Sequence, residues 1–275
     1  REEEKVYSVR ELTNFQFWKA VRTELLATLL LAMTGCGVAL QCTEATPADD
    51  LKVALAFGLT VATLVQCVGH VSGGHMNPAV TVGMLVTGNI SPARAVCYSM
   101  AQCTGAIAGT AVLYGLIPAT LRGDLGLTRV HAAVSLAQAF GIEFIITFVY
   151  AFAVFANLDP KRKSMGSRSL AIGFAALVGN LFGFHYTGAS MNPARSLGPA
   201  VVLNSWEHHW IYWLGPVLGG VLGGFTYEYT HDSKRFPQRL RLSFLTVSAS
   251  ELPRSETVLS NCTEMTSASV DDLHI

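Results

Sequence analysis

One short run of this chain occurs twice. His75-Met76-Asn77-Pro78-Ala79-Val80 returns as Ser190-Met191-Asn192-Pro193-Ala194-Arg195, each copy behind a Gly-rich approach, Gly69-His70-Val71-Ser72-Gly73-Gly74 and His185-Tyr186-Thr187-Gly188-Ala189. Two further landmarks recur in the same order. Glu24-Leu25-Leu26-Ala27-Thr28 answers Glu143-Phe144-Ile145-Ile146-Thr147 upstream, and Gln102-x-x-Gly105 answers Pro216-x-x-Gly219 downstream. The offsets are 119, 115 and 114, nearly constant, so the chain is an internal duplication rather than a coincidence of four residues.

The material duplicated is apolar. Hydrophobic residues make up 51% of the chain and charged ones 14%, against about a quarter charged in ordinary globular proteins. Apolar windows run at Leu25–Leu40, Val53–Val68, Ala95–Leu121, Ala132–Ala156, Leu170–His185 and Ile211–Tyr227. The shorter ones extend ~24 Å as helix, and their flanking turns bring them to bilayer thickness. Six spans are expected. The first opens after Glu24 and lacks an Ala-x-Ala site, so it reads as a span and not a signal peptide. With 19 basic and 19 acidic residues there is no net positive field to hold nucleic acid.

Three spans per copy is an odd number, so the second copy enters the membrane upside down, an inverted repeat of the kind found in transport proteins. Lys5, Arg10, Lys19, Arg22, Arg94, Lys161, Arg162, Lys163, Arg168, Lys234, Arg235, Arg239 and Arg241 fall on one side. Lys52, Arg122 and Arg129, beside Glu44, Asp49, Asp50 and Asp124, fall on the other. The positive-inside rule puts both termini in the cytosol, by default at the plasma membrane. Residues 1–16 then form a cytosolic N-terminal segment, 17–233 a channel domain with repeats at about 17–125 and 134–233, and 234–275 a polar, mobile tail.

Each Asn-Pro-Ala begins about ten mostly apolar residues, Ala79–Gly88 and Ala194–Leu203, too short to cross alone. Asn is a favoured N-cap and Pro a favoured first helical residue, so each starts a re-entrant half-helix with its positive end inward. Irregular backbone at membrane depth is tolerated only when buried in protein or facing a water-filled cavity. A structural turn with a capping Asn explains one copy equally well. Two inverted copies favour a pore.

These residues resemble the aquaporins of the major intrinsic protein superfamily, with twin Asn-Pro-Ala signatures (Asn77, Pro78, Ala79; Asn192, Pro193, Ala194), Arg195 after the second, and Glu24 and Glu143 in the first and fourth spans. The likeness covers roughly residues 15 to 230. It implies an all-α membrane protein of six transmembrane helices and two half-helices, four subunits forming a homotetramer in lipid, and no cofactor, metal or enzymatic activity. It implies passive, osmotically driven water conduction that excludes protons and ions. Asn77 and Asn192 would donate to water at the centre. Carbonyls of Gly73, Gly74, His75, Gly188, Ala189 and Ser190 would form an acceptor track, with Glu24 and Glu143 bracing the loops. The constriction maps onto Phe57, Asn180, Ala189 and Arg195. Water-selective members usually carry His where Asn180 stands, which leaves open a broader channel for small neutral solutes such as glycerol, urea, ammonia or hydrogen peroxide. Ser196, Ala200, Tyr212-Trp213 and Phe57 are of water type rather than glycerol type. Ala189 replaces a pore Cys of some members, so mercurials lack that target.

His75 is expected to line the pore, whereas His70 and His209 read as structural and His185 as solvated. Cys36, Cys42, Cys67, Cys97, Cys103 and Cys262 show no metal spacing, and free thiols are expected. The glycosylation patterns at Asn89 and Asn261 fall on the cytosolic side and are discounted. Arg239-Leu240-Arg241-Leu242-Ser243 and Lys161-Arg162-Lys163-Ser164 resemble kinase sites, and Leu273-His274-Ile275 resembles a PDZ ligand. Arg1 in place of Met suggests a piece of a longer or trimmed chain. A coupled transporter shares inverted repeats but needs charged partners at its centre; a structural role predicts weak permeability.

Overall fold

A computed structural model describes residues 9–40, 47–163 and 166–231. Cys42, Glu44, Ser164, Lys5 and the tail, with its kinase-like, PDZ-like and Asn261 motifs, lie outside the described residues. The chain is helical, with no strand among the described residues. The helices are α1 (Phe15–Ala39), α2 (Pro47–Ser72), α3 (Pro78–Val86), α4 (Pro92–Leu116), α5 (Leu136–Leu158), α6 (Arg168–Thr187), α7 (Pro193–Leu203) and α8 (Ile211–His231). Five of the six long helices are both long and apolar enough to cross a membrane: α1, α2, α4, α5 and α6. The sixth, α8, has 21 residues, about 31 Å of helix, but its five glycines, its tyrosines and Glu228 dilute its hydropathy.

Two expected boundaries move. The fourth window was expected to begin at Ala132, but α5 starts at Leu136, where Ser135 caps the Gln138 N–H and the Gln138 side chain returns the bond. The third window was expected to reach Leu121, but α4 stops at Leu116, and Pro118 precedes a single 3-10 turn at Ala119–Leu121.

Packing follows the duplication. α1 lies on α4 as α5 lies on α8, and α2 meets α6 across the two copies. Each half-helix packs against the long third helix of the other copy, α3 on α8 and α7 on α4. Small residues permit this closeness. A Cβ on Gly105 or Gly109 would strike the Leu25 and Leu29 carbonyls of α1, and one on Gly219 or Gly223 the Phe144 and Phe148 carbonyls of α5.

The polarity of the molecule is inverted relative to a water-soluble protein. Glu24, Gln102, Glu143 and Arg195 are buried, whereas Leu59, Met100, Val112, Ile145, Phe174, Val178 and Leu218 are exposed. Such an apolar exterior suits lipid or a neighbouring subunit.

Candidate functional site

The two half-helices meet head to head. Asn77 caps α3 by accepting from the Ala79 N–H at 2.8 Å, and Asn192 caps α7 by accepting from the Ala194 N–H at 3.0 Å. Each amide nitrogen then reaches across the centre: Asn77 Nδ2 donates to the Met191 carbonyl and Asn192 Nδ2 to the Met76 carbonyl, both at 2.8 Å. An Asn amide carries two N–H groups. One hydrogen on each is consumed by this cross-link, so each retains one donor. Pro78 and Pro193 occupy the first helical position, where a missing N–H costs nothing.

The approach loops are held by the two buried carboxylates. Glu24 Oε1 accepts from the Ser72 hydroxyl (2.6 Å) and the His75 N–H (3.0 Å), while Oε2 accepts from the Met76 N–H (2.6 Å) and Gln102 Nε2 (2.8 Å). Glu143 Oε1 accepts from the Thr187 hydroxyl (2.6 Å) and the Ser190 N–H (2.8 Å), and Oε2 from the Met191 N–H (2.9 Å). A carboxylate in a span is tolerable because it is saturated in this way. The Tyr98 hydroxyl donates to the Ser72 carbonyl and that of Tyr212 to the Thr187 carbonyl, each at 3.0 Å. With their N–H groups turned toward the glutamates, the loops adopt left-handed backbone at Gly73, Gly74 and Met76 and at Gly188, Ala189 and Met191. Such strain clusters at functional sites and persists only where the surroundings hold it.

Two cavities adjoin this centre. One, about 930 Å³, opens at the end where the polypeptide leaves α8, with Val65, Gly73, His75, Ile172 and Tyr227 among its walls. The other, about 30 Å³, is walled by Phe57, His75, Asn77, Asn180, Ser190, Asn192 and Arg195, among others. That exceeds the roughly 10–15 Å³ a cavity needs to hold a water. His75 belongs to both, and its Nδ1 lies 3.1 Å from the Thr81 hydroxyl.

Phe57, Asn180 and Arg195 thus come together as the sequence suggested, whereas Ala189 and Gly188 do not wall the small cavity. Arg195 is 3% exposed, its guanidinium 5.0 Å over the Phe57 ring and Nη1 donating to the Gly126 carbonyl. Asn180 Nδ2 donates to the Ala176 carbonyl at 2.9 Å. Among the described residues, Asn180 Oδ1 and Arg195 Nε have no protein partner.

The other histidines divide. His70 lines the large cavity, while His185 stacks on His131 at 5.2 Å beside a separate groove of about 480 Å³. His209 accepts from Trp213 Nε1 at 3.1 Å; burial pushes its imidazole below the ordinary range, which keeps it the neutral acceptor this structural bond requires. Cys36, Cys67, Cys97 and Cys103 are free thiols. Sequence reasoning missed Ser72, Thr187, Tyr98, Tyr212 and Gly126. The first four recur at offsets of 115 and 114, a signal the duplication already offered.

Comparisons with known proteins agree with this architecture. A family model described as Major intrinsic protein matches residues 11–227. The chain is 48% identical to Aquaporin-4 of Homo sapiens over 83% of its own length and 72% of that protein's. It is 49% identical to the lens fiber major intrinsic protein of Lithobates pipiens over 80% and 83%. Among solved structures, the X-ray structure of the aquaglyceroporin from Plasmodium falciparum shares its fold, with a TM-score of 0.70 at 23% identity over 83% of this chain and 99% of that one.

Proposed function

Because the chain belongs to the major intrinsic protein family, we propose that this integral membrane protein is a passive water channel, driven by osmotic gradients and closed to protons and ions. The observation that carries this reading is the pair of crossed asparagines at a water-sized cavity. Water enters through the wide vestibule and files along the carbonyls of Gly73, Gly74 and His75 on one side and Gly188, Ala189 and Ser190 on the other. At the centre the two remaining amide hydrogens of Asn77 and Asn192 both donate to it. A water molecule that accepts two bonds there cannot also accept from its neighbours in the file, so the proton wire is interrupted. The positive ends of α3 and α7 converge on the same point and oppose cations, and Arg195 adds a full charge beyond it.

The saturated carboxylates act by bracing. Glu24 and Glu143 take the loop N–H groups, which leaves the loop carbonyls free for the permeant. Residues 17–233 constitute the channel domain, assembled as a homotetramer through part of the exposed apolar exterior, with both termini cytosolic at the plasma membrane. No catalytic role is assigned to any residue. The similarity to Aquaporin-4 supports water as the permeant.

The test is stopped-flow light scattering on proteoliposomes, with water, glycerol and urea as permeants, for the wild type and Asn180→His. Fast osmotic shrinkage with no glycerol or urea entry is expected. Rapid glycerol or urea entry, abolished by Asn180→His, would show that the narrow end filters poorly. Permeability equal to protein-free vesicles would overturn the channel reading.

A further inference from the structure

We propose that a pocket of about 170 Å³ at the end where the polypeptide enters α8, between residues 127–130 and 205–209, binds a small carboxylate anion. The duplication supplies the pattern for it. In the first copy the short 3-10 helix Val9–Thr13 before α1 carries Glu11, whose Oε2 accepts from the Ser91 hydroxyl at 2.7 Å and lies 3.8 Å from Arg94 Nε. Tyr98, one helical turn on, braces the approach loop. Counting 114 residues on, Ser91, Arg94 and Tyr98 become Ser205, His208 and Tyr212, and Tyr212 braces the second approach loop in the same way. Counting 119 on, the offset of the two clamp glutamates, Glu11 becomes Val130. Val130, Ser205 and His208 all wall the pocket. The second copy therefore keeps the serine and a basic side chain, lacks the carboxylate, and has a pocket in its place. The Ser205 hydroxyl, unlike that of Ser91, has no hydrogen-bond partner among the described residues.

The side chains there suit an anion. Arg129 adds a permanent cation on the pocket wall, which a free carboxylate needs more than one tethered to the chain. His209 accepts from Trp213 through Nε2, so its Nδ1 carries the proton and is a donor. The nearby acids leave the pocket open. Asp124 lies 4.0 Å from Arg129 with its side chain 51% exposed, and Glu207 lies 3.7 Å from His208 with its side chain 74% exposed. Exposed ion pairs at such separations contribute little and yield to a better-placed anion. A carboxylate offers two acceptor oxygens, one for the Ser205 hydroxyl, as Glu11 does for Ser91, and one for Arg129. Chloride has no second atom to offer. A cavity of ~150 Å³ takes benzene, so an anion of about three to six heavy atoms, such as acetate, fits. The pocket adjoins the loop whose Gly126 carbonyl holds Arg195, and Thr128 on its wall donates to the Ser196 hydroxyl at 2.8 Å. An anion bound there fastens that loop to the head of α8, as Glu11 fastens the N-terminal turn to α4.

The experiment follows the melting temperature of the detergent-solubilised full chain against sodium acetate, with sodium chloride holding ionic strength constant. A rise that saturates with acetate in the millimolar range is expected, with no rise in chloride alone. Arg129→Gln is expected to weaken the apparent affinity at least about tenfold, the loss of one charge-assisted bond. Arg122→Gln removes the same charge from a neighbouring residue outside the pocket, one whose Nε donates to the Ile117 carbonyl, and is expected to leave the affinity unchanged. His208→Arg, which installs the residue of the first copy, is expected to tighten binding severalfold. Val130→Glu supplies the missing carboxylate from the chain itself and is expected to abolish the response to acetate. An acetate response no greater than that to chloride would overturn the inference. So would wild-type affinity in Arg129→Gln, or an equal loss in Arg122→Gln, since either makes the effect one of general surface charge.

Discussion

The two halves share a scaffold and differ in what hangs from it. Counting 115 residues on from Phe57, Val65, Gly74 and Val80 gives Ile172, Asn180, Ala189 and Arg195. The register is physical, because Gly58 and Gly173, related by the same count, pack against each other's backbone where α2 meets α6. Where Val65 and Ile172 supply the walls, the cavity is about 930 Å³; where Phe57, Asn180 and Arg195 do, it is about 30 Å³. Around both, the glutamate clamp, the crossed asparagines and the tyrosine braces are nearly identical. Backbone geometry is therefore shared, and three side chains distinguish the narrow cavity from the wide one.

The clamps themselves are not quite equal, which gives the largest expected effect. Glu24 has four donors and Glu143 three, because Gln102 is answered by Pro216, which has no side-chain donor. Replacing either glutamate with Gln turns one accepting oxygen into an N–H group pointed at other donors. Roughly 2–4 kcal/mol of stability should be lost in each case, with Glu24→Gln the worse because its second oxygen faces two donors. Melting temperatures of the detergent-solubilised protein would check this. A larger loss for Glu143→Gln would mean that Gln102 is incidental to the first clamp.

How far the sequence announced these parts depends on the kind of atom that does the work. The crossed asparagines, the glutamates and Arg195 lie in or beside a repeated motif, so their identity and spacing carried the signal. The braces Tyr98 and Tyr212 were equally legible through the repeat and were overlooked, as was the S-x-x-Q capping box that starts α5 at Leu136. Gly126 was not legible at all. It contributes a backbone carbonyl from the loop between the halves, where there is no counterpart to compare. The orientation of the Asn180 amide depends on a bond to Ala176 within its own helix, a detail that residue identity leaves open. The helices themselves were readable as apolar stretches, α8 included through its window Ile211–Tyr227, although close packing against α5 requires glycines that weaken its hydropathy.

Making the narrow end more like the wide one should relax selectivity. Arg195→Val installs the residue found at the equivalent position, Val80. Removing the guanidinium opens the space between Phe57 and Asn180 and withdraws the positive charge. Glycerol and urea entry should rise at least about tenfold, the change that ~1.4 kcal/mol of barrier produces. Water flux should persist, and proteoliposome swelling in each solute would measure both. Unchanged solute exclusion would place the filter at the asparagines instead, and the contrast between the halves would lose its functional meaning.

The smallest effect separates backbone from side chain at the last of the four positions. Gly74 and Ala189 both adopt left-handed backbone, with φ of +65° and +44°, yet only one is glycine. A methyl at Gly74 would make ordinary contacts, 3.5 Å from the nearest Cα atoms, so Gly74→Ala meets no clash. It should cost about 0.5–1 kcal/mol, because an L-residue in that region is penalised by 1–2 kcal/mol and the new methyl recovers only part. Ala189→Gly relieves the same penalty but gives up a methyl that is 2% exposed, worth ~0.8 kcal/mol, and frees the unfolded chain. The terms nearly cancel, and stability should stay within about 0.5 kcal/mol of wild type. A loss well above that in Ala189→Gly would show that the methyl fills space the narrow end needs, which adds a fourth side chain to the three that distinguish the halves. Equal changes at both positions would make this pair part of the common scaffold.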